Sequence, residues 1–200
     1  MGLIKGLVDF VMDILETVVF VGSLFIVVYL FIFQPNLVKG ASMEPTFQSG
    51  DYILTSKITY KMRSLERGDI VVFESPKNKD VDFIKRIIGL PGDTILIQNN
   101  EVFVNGNRID EPYIAAKTNL WGEAGYVKEG VPLAIPQGEV FVMGDNRPRS
   151  SDSREFGYIP ETSIIGIVFY RYFPPGRTGS ITNPWPTRLR SELVNLFKFA

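Results

Sequence analysis

Between Thr17 and Val38 the chain carries no charged residue, and the heart of that run, VVFVGSLFIVVYLFIF, is rich in Val, Ile, Leu and Phe. Nothing else in the sequence restricts the fold as strongly. About 20 consecutive apolar residues cross a bilayer core as a helix; the other reading is a core helix of a soluble domain. A cleaved secretory signal would have a shorter apolar region and a basic start, whereas Lys5, Asp9, Asp13 and Glu16 precede this one. Their spacing places all four on one helical face, with Leu3, Ile4, Leu7, Val8, Phe10, Val11, Ile14 and Leu15 around the rest. Residues 1–16 are therefore expected as an amphipathic interfacial helix, continuous with a transmembrane anchor over 17–35. Loop charge does not set the orientation, because Lys5 opposes three acids.

From Asp51 the texture changes to short runs rich in β-branched and aromatic residues: YILTSKITY, DIVVFES, DTILIQ, EVFVNGNRI, GEVFVMG and SIIGIVFYRY. Asn105-Gly106 is a two-residue hairpin signal. The pattern predicts a mainly β protein: an antiparallel sheet or partial barrel over 36–97 and 137–185, with a small β subdomain or excursion over 98–136. Leu189, Leu193, Leu196 and Phe197 stand at helical spacing, so 186–200 is a tail with a possible short surface helix.

Composition removes several chemistries. A net charge of −1 leaves no electrostatic footprint for nucleic acid. Without cysteine there is no disulfide or thiolate nucleophile. Without histidine there is no Ser-His-Asp or Cys-His system and no His-ligated zinc. A hydrolase built from this chain would need a carboxylate, an amine or a water on an oxygen-ligated metal as its base.

Three segments are too specific for linkers. In NLVKGASMEPTFQSGD, residues 36–51, Ser42 stands between Ala41 and Met43 just past the apolar run; serines in such contexts also simply close turns. In DFIKRIIGLPGD, residues 82–93, an alternating strand puts Phe83, Lys85 and Ile87 on one face and Ile84, Arg86 and Ile88 on the other. A lysine between Phe and Ile is either desolvated, which lowers its pKa and makes it a base, or it snorkels out from an edge. In MGDNRPRSSDSREFGYIP, residues 143–160, the simplest reading is a salt-bridged turn in which Asp152 pairs with Arg154 or Arg86.

Together with RGDIVVFESP, residues 67–76, these segments resemble the type I signal peptidase (leader peptidase) family, membrane-bound serine proteases that remove signal peptides from exported preproteins. The resemblance runs from about residue 36 to 160 in the family's order. It implies that the main β domain is catalytic, with Ser42 the nucleophile and Lys85 the general base of a Ser–Lys dyad. It also implies that Ser150 hydrogen-bonds the lysine, and that Gly144, Asp145, Arg86, Asp152 and Arg154 support the dyad. By the same carry-over, Val38, Met43, Phe47, Val72, Asp82, Phe83 and Ile84 would bind an extended peptide, with small residues of Ala-X-Ala type before the cut. The oxyanion would meet the Ser42 backbone N–H. Gly40 stands where some members add a hydroxyl, and Arg149 where an Asn is often found. No metal or cofactor is implied.

The partners expected are preprotein signal peptides and the lipid bilayer. The location expected is the plasma or inner membrane, single-pass, with the catalytic domain on the extracytoplasmic face. Two other readings stand beside this one: a self-cleaving repressor-type Ser–Lys peptidase, and a membrane-tethered β binding module with an inactive dyad.

Overall fold

The computed structural model describes residues 2–185, so the tail expected over 186–200 lies outside the described residues. The chain opens with one continuous helix, α1 (Gly2–Phe31), of 30 residues. At 1.5 Å per residue it is about 45 Å long, more than a bilayer core requires. Its side chains are not a protein core: Phe20 and Phe25 are each 68% exposed, and no part of the apolar stretch Ile4–Tyr29 is buried. That exposure removes the soluble core-helix reading. The helix stops at Phe31, and Phe33–Pro35, expected within the anchor, instead begin strand β1 (Phe33–Leu37). Pro35 lacks an N–H and biases the residue before it toward extended backbone. Pairing of Phe33 with Ser56 then fixes that choice.

The remaining elements are β2 (Tyr52–Ser56), α2 (Thr59–Met62), β3 (Ile70–Glu74), β4 (Asp82–Gly89), β5 (Thr94–Gln98), β6 (Glu101–Val104), β7 (Asn107–Arg108), β8 (Leu133–Ala134), β9 (Glu139–Met143), α3 (Ser153–Phe156), β10 (Ile159–Pro160), β11 (Ile164–Phe173) and β12 (Gly179–Ser180). They form two antiparallel sheets. The larger runs β1-β2-β11-β3-β4-β9-β10, with β12 beside β11, and the smaller runs β7-β6-β5-β8. The protein is mainly β, as its alternating runs predict. Asn105 and Gly106, both at positive φ, close the β6–β7 turn. Thr94–Gln98 is a central strand of the small sheet, which therefore starts earlier than the 98–136 segment suggests.

The large sheet buries both faces. Along β3, Val71 and Phe73 enter one core with Ile87, Val142 and Ile167, while Ile70 and Val72 enter another with Val38, Met43, Phe47 and Ile53. Burial on both faces is what a curled sheet produces. A third core, around Ile88, Ile95, Phe141 and Met143, joins the small sheet to β4 and β9. Strand β4 thus touches all three cores, because Phe83, Ile84 and Ile88 each pack into a different one.

Candidate active site

Ser42 lies in the turn-rich segment between β1 and β2. The ends of that segment are tied by Val38 N–H to Asp51 O at 2.8 Å and Gly50 N–H to Val38 O at 2.9 Å. The Asp51 carboxylate, fully buried, accepts from Arg177 at 2.7 Å and from the Gln48 N–H at 3.0 Å. Arg171 donates to the Thr46 carbonyl at 2.7 Å and lies over the Phe47 ring. The segment carrying Ser42 is therefore clamped from β11 and the turn after it.

A second clamp comes from the loop after β9. Asn146 donates its N–H to Ser42 O at 3.0 Å and its side-chain amide to Ala41 O at 2.9 Å. Gly144 is required by this approach: a Cβ there would stand 2.2 Å from Ser150 Oγ and 2.5 Å from Ser42 O.

Lys85 projects from β4 to place Nζ 2.9 Å from Ser42 Oγ. It also donates to its neighbour's carbonyl, Ile84 O, at 3.0 Å, and stands 5.0 Å from the centre of the Phe83 ring. The side chain is 4% exposed. Burial is the largest influence on it and lowers its pKa to about 8; the charges of Asp152 and Asp145 pull it back up, and Arg154 opposes them. Of the two outcomes open to a lysine on an apolar strand face, the structure takes desolvation and not snorkelling.

The neighbouring cation is treated differently. Arg86 points to the opposite face and grips Asp145 with two bonds, of 2.9 and 2.7 Å. Asp145 also accepts from Thr46 in the segment that carries Ser42. Asp152 pairs with Arg154 through bonds of 2.8 Å and accepts the Gly144 N–H at 2.9 Å. Arg86 meets Asp145, and Arg154 meets Asp152, so each of these buried charges has its partner.

Ser150 departs from expectation. It is 1% exposed, but its Oγ has no hydrogen-bond partner among the described residues, Lys85 included. It packs against Gly144 instead. Gly40 has φ +89°, with open space where a side chain would be, and its N–H reaches Ser49 Oγ at 3.4 Å.

A groove of about 600 Å³ opens beside Ser42 and Lys85. Val38, Val72, Asp82, Phe83 and Ile84 line it, as do Gly40, Ser42, Lys85 and Arg149. Met43 and Phe47 do not: they are 1% and 0% exposed, in the core beneath its wall. The Asp82 carboxyl is pushed up by burial and by Glu74. Two strand edges face the groove. The edge of β1 away from β2 is the end of the sheet, and β4 pairs with β9 only from Arg86 onward, leaving one side of Asp82–Lys85 unpaired. A cavity of about 680 Å³ lies elsewhere, against the small sheet and away from Ser42.

Sequence reasoning assigned no part to Asn146, Thr46, Asp51, Arg171 or Arg177. Asn146 and Thr46 stand inside segments already singled out, so proximity to a motif was the available signal. Asp51 finds Arg177 across 126 positions, a separation at which local pattern carries nothing. Among the described residues no group of acidic side chains is arranged to hold a metal.

Comparison with known proteins gives a consistent set. The family profile "Signal peptidase, peptidase S26" matches residues 11–173. A signal peptidase IB of Staphylococcus aureus (strain COL) is 36% identical over 191 residues, covering 88% of this chain and 98% of that protein. A signal peptidase I of Bacillus caldolyticus is 40% identical over 151 residues, 72% of this chain and 82% of that one. The crystal structure of a signal peptidase I from Enterococcus faecalis V583 shares 37% identity over 52% of this chain and 97% of its own, with a TM-score of 0.44.

Proposed function

The chain belongs to the signal peptidase family, peptidase S26, a serine protease family that cleaves signal peptides, and on that premise we propose that Ser42 and Lys85 are its catalytic dyad. The observation that carries the assignment is the 2.9 Å contact between Nζ and Oγ at a lysine that burial brings to about 8. A tethered binding module would need no such pair.

In the reaction, neutral Lys85 takes the Ser42 proton as Oγ attacks the scissile carbonyl. The ammonium then gives that proton to the departing amine, and an ester links Ser42 to the signal peptide. Water, deprotonated by Lys85, attacks the ester and regenerates the hydroxyl. The Ser42 backbone N–H meets the oxyanion. Gly40 brings no side-chain donor, so the hole relies on backbone. The resemblance gives Ser150 the part of steadying the amine; its Oγ makes no bond to Lys85 in the structure, and an unpaired buried hydroxyl costs about 1–3 kcal/mol, which a bond formed to Lys85 during the reaction would relieve.

The peptide adds as a strand between the free edges of β1 and β4, its backbone bonds giving affinity and the shallow walls at Val38, Val72 and Ile84 accepting only small side chains. Helix α1 spans the plasma membrane and the sheets stand on its outer side, so Ser42 meets the cleavage site where a signal peptide's apolar helix emerges. Full-length protein in detergent should cut a preprotein after Ala-X-Ala, whereas Ser42→Ala and Lys85→Met should not; full processing by either variant removes the dyad. Protease protection on sealed membranes tests the sidedness.

A further inference from the structure

The irregular segment between β7 and β8 reaches back under the reaction centre. Tyr113 lies flat beneath Arg86, with the guanidinium carbon 4.1 Å from the ring centre, and within 6.0 Å of the Arg147 guanidinium. Its hydroxyl donates to Glu111 at 2.9 Å, and Trp185, held by Asp110 O at 2.8 Å, packs edge-on against the ring. Glu111 itself receives Arg147, which is fully buried and also donates to Thr118 and, through Nε, to Gly144 O at 3.0 Å. Gly144 is the residue that lies against both Ser42 O and Ser150.

Counting charges around this centre gives three buried pairs: Arg86 with Asp145, Arg154 with Asp152, and Arg147 with Glu111. The cluster is neutral when Lys85 is an amine and carries one positive charge when Lys85 is an ammonium. Two carboxylates come from the loop after β9; the third comes from the small-sheet excursion. The charges acting on Lys85 are Asp152, Asp145 and Arg154 from that loop, and Ser42 is its hydrogen-bond partner, while Arg86 lies on the opposite face of the strand.

We propose that Glu111 and Tyr113 are positioning residues of the reaction: the small-sheet excursion supplies the third carboxylate and the aromatic floor that hold Arg147 and Arg86 against the backs of Gly144 and Asp145. Glu111 compensates the Arg147 charge near the base, and Tyr113 sets the guanidinium plane from which Asp145, and through it Thr46 of the nucleophile segment, is held. Burial pushes the Tyr113 phenol far above its ordinary range, so the ring stays neutral and keeps its proton for Glu111.

This inference rests on the Ser42–Lys85 reading, and its test separates the two. Preprotein cleavage by the full-length protein in detergent is followed as kcat/KM against pH. Glu111→Gln leaves Arg147 uncompensated, makes the Lys85 ammonium costlier and should move the rising limb to lower pH by on the order of half a unit. Tyr113→Leu should lower kcat about tenfold with little change in KM, whereas Tyr113→Phe, which keeps the ring, should stay within about twofold. A limb that does not move in Glu111→Gln, or a Phe variant as impaired as the Leu variant, overturns the proposal. If Ser42→Ala and Lys85→Met are inactive when that happens, only this inference fails; if they are active, the dyad itself is wrong.

Discussion

Lys85 and Arg86 are consecutive residues of β4, and both are buried, at 4% and 2% exposure. On one face Arg86 meets the Asp145 carboxylate in two bonds. On the other Lys85 meets a hydroxyl, a carbonyl and a phenylalanine ring, with no carboxylate in contact among the described residues, and burial brings its pKa to about 8. One strand therefore holds a paired cation and a lysine with a depressed pKa side by side, and the difference is made by the partner, not by depth. Arginine suits the first role because its guanidinium does not deprotonate in a protein; lysine suits the second because its amine does.

Breaking the comparison at Lys85 has the largest expected effect. Lys85→Met should lower the cleavage rate by about 10³-fold or more, measured on preprotein. The same change should raise stability. With its pKa depressed from 10.5 to about 8, Lys85 costs the folded state most below pH 8, where folded and unfolded chains both hold the proton. The cost falls as pH rises from 8 to 10.5 and vanishes above. Lys85→Met should therefore unfold at a higher temperature than the unaltered protein at pH 7, by a margin equivalent to about 3 kcal/mol, and the gap should narrow toward pH 10.

Arg86→Met should do the reverse. It strands Asp145 as a buried, unpaired charge and should cost about 3–5 kcal/mol of stability, read as a fall in the unfolding midpoint. Ser150→Ala sharpens the comparison on the lysine side. If Ser150 bonds the Lys85 ammonium that forms during the reaction, losing the hydroxyl should lower kcat by about 10-fold or more with the fold intact, since a hydrogen bond to a charged group is worth about 1.5–3 kcal/mol; an unchanged kcat would leave Ser150 a packing residue against Gly144. Ser49→Ala should have the smallest effect, within about twofold in kcat, because its 3.4 Å contact to the Gly40 N–H is long and exposed.

Much of the fold is legible because strands announce themselves by alternation. Val71 and Phe73 face one core while Ile70 and Val72 face another, as a period of two demands. The end of the anchor is less legible: Phe33 is as apolar as the residues before it, and only pairing with Ser56 makes it a strand residue. For the site, spacing places Lys85 between Phe83 and Ile87 but does not say whether a carboxylate waits across the gap. The resemblance to signal peptidases supplied Ser42 as its partner. Met43 and Phe47 show the limit of that transfer, since being next to a nucleophile does not tell a groove wall from the core behind it. The clamps from Arg171 and Arg177 were beyond reach for a simpler reason: they join segments whose adjacency exists only after the sheet has curled.

The central claim is that burial brings Lys85 within reach of deprotonation near pH 8, so that an amine stands beside Ser42 at pH values where an ordinary lysine is fully protonated. Titration of Lys85 by NMR, in full-length protein with labelled lysine side chains and Lys85→Met to assign the signal, measures this directly. A midpoint near 8 is predicted. A midpoint at the ordinary lysine value of about 10.4 would contradict the account, because Lys85 would then hold its proton as firmly as an exposed lysine.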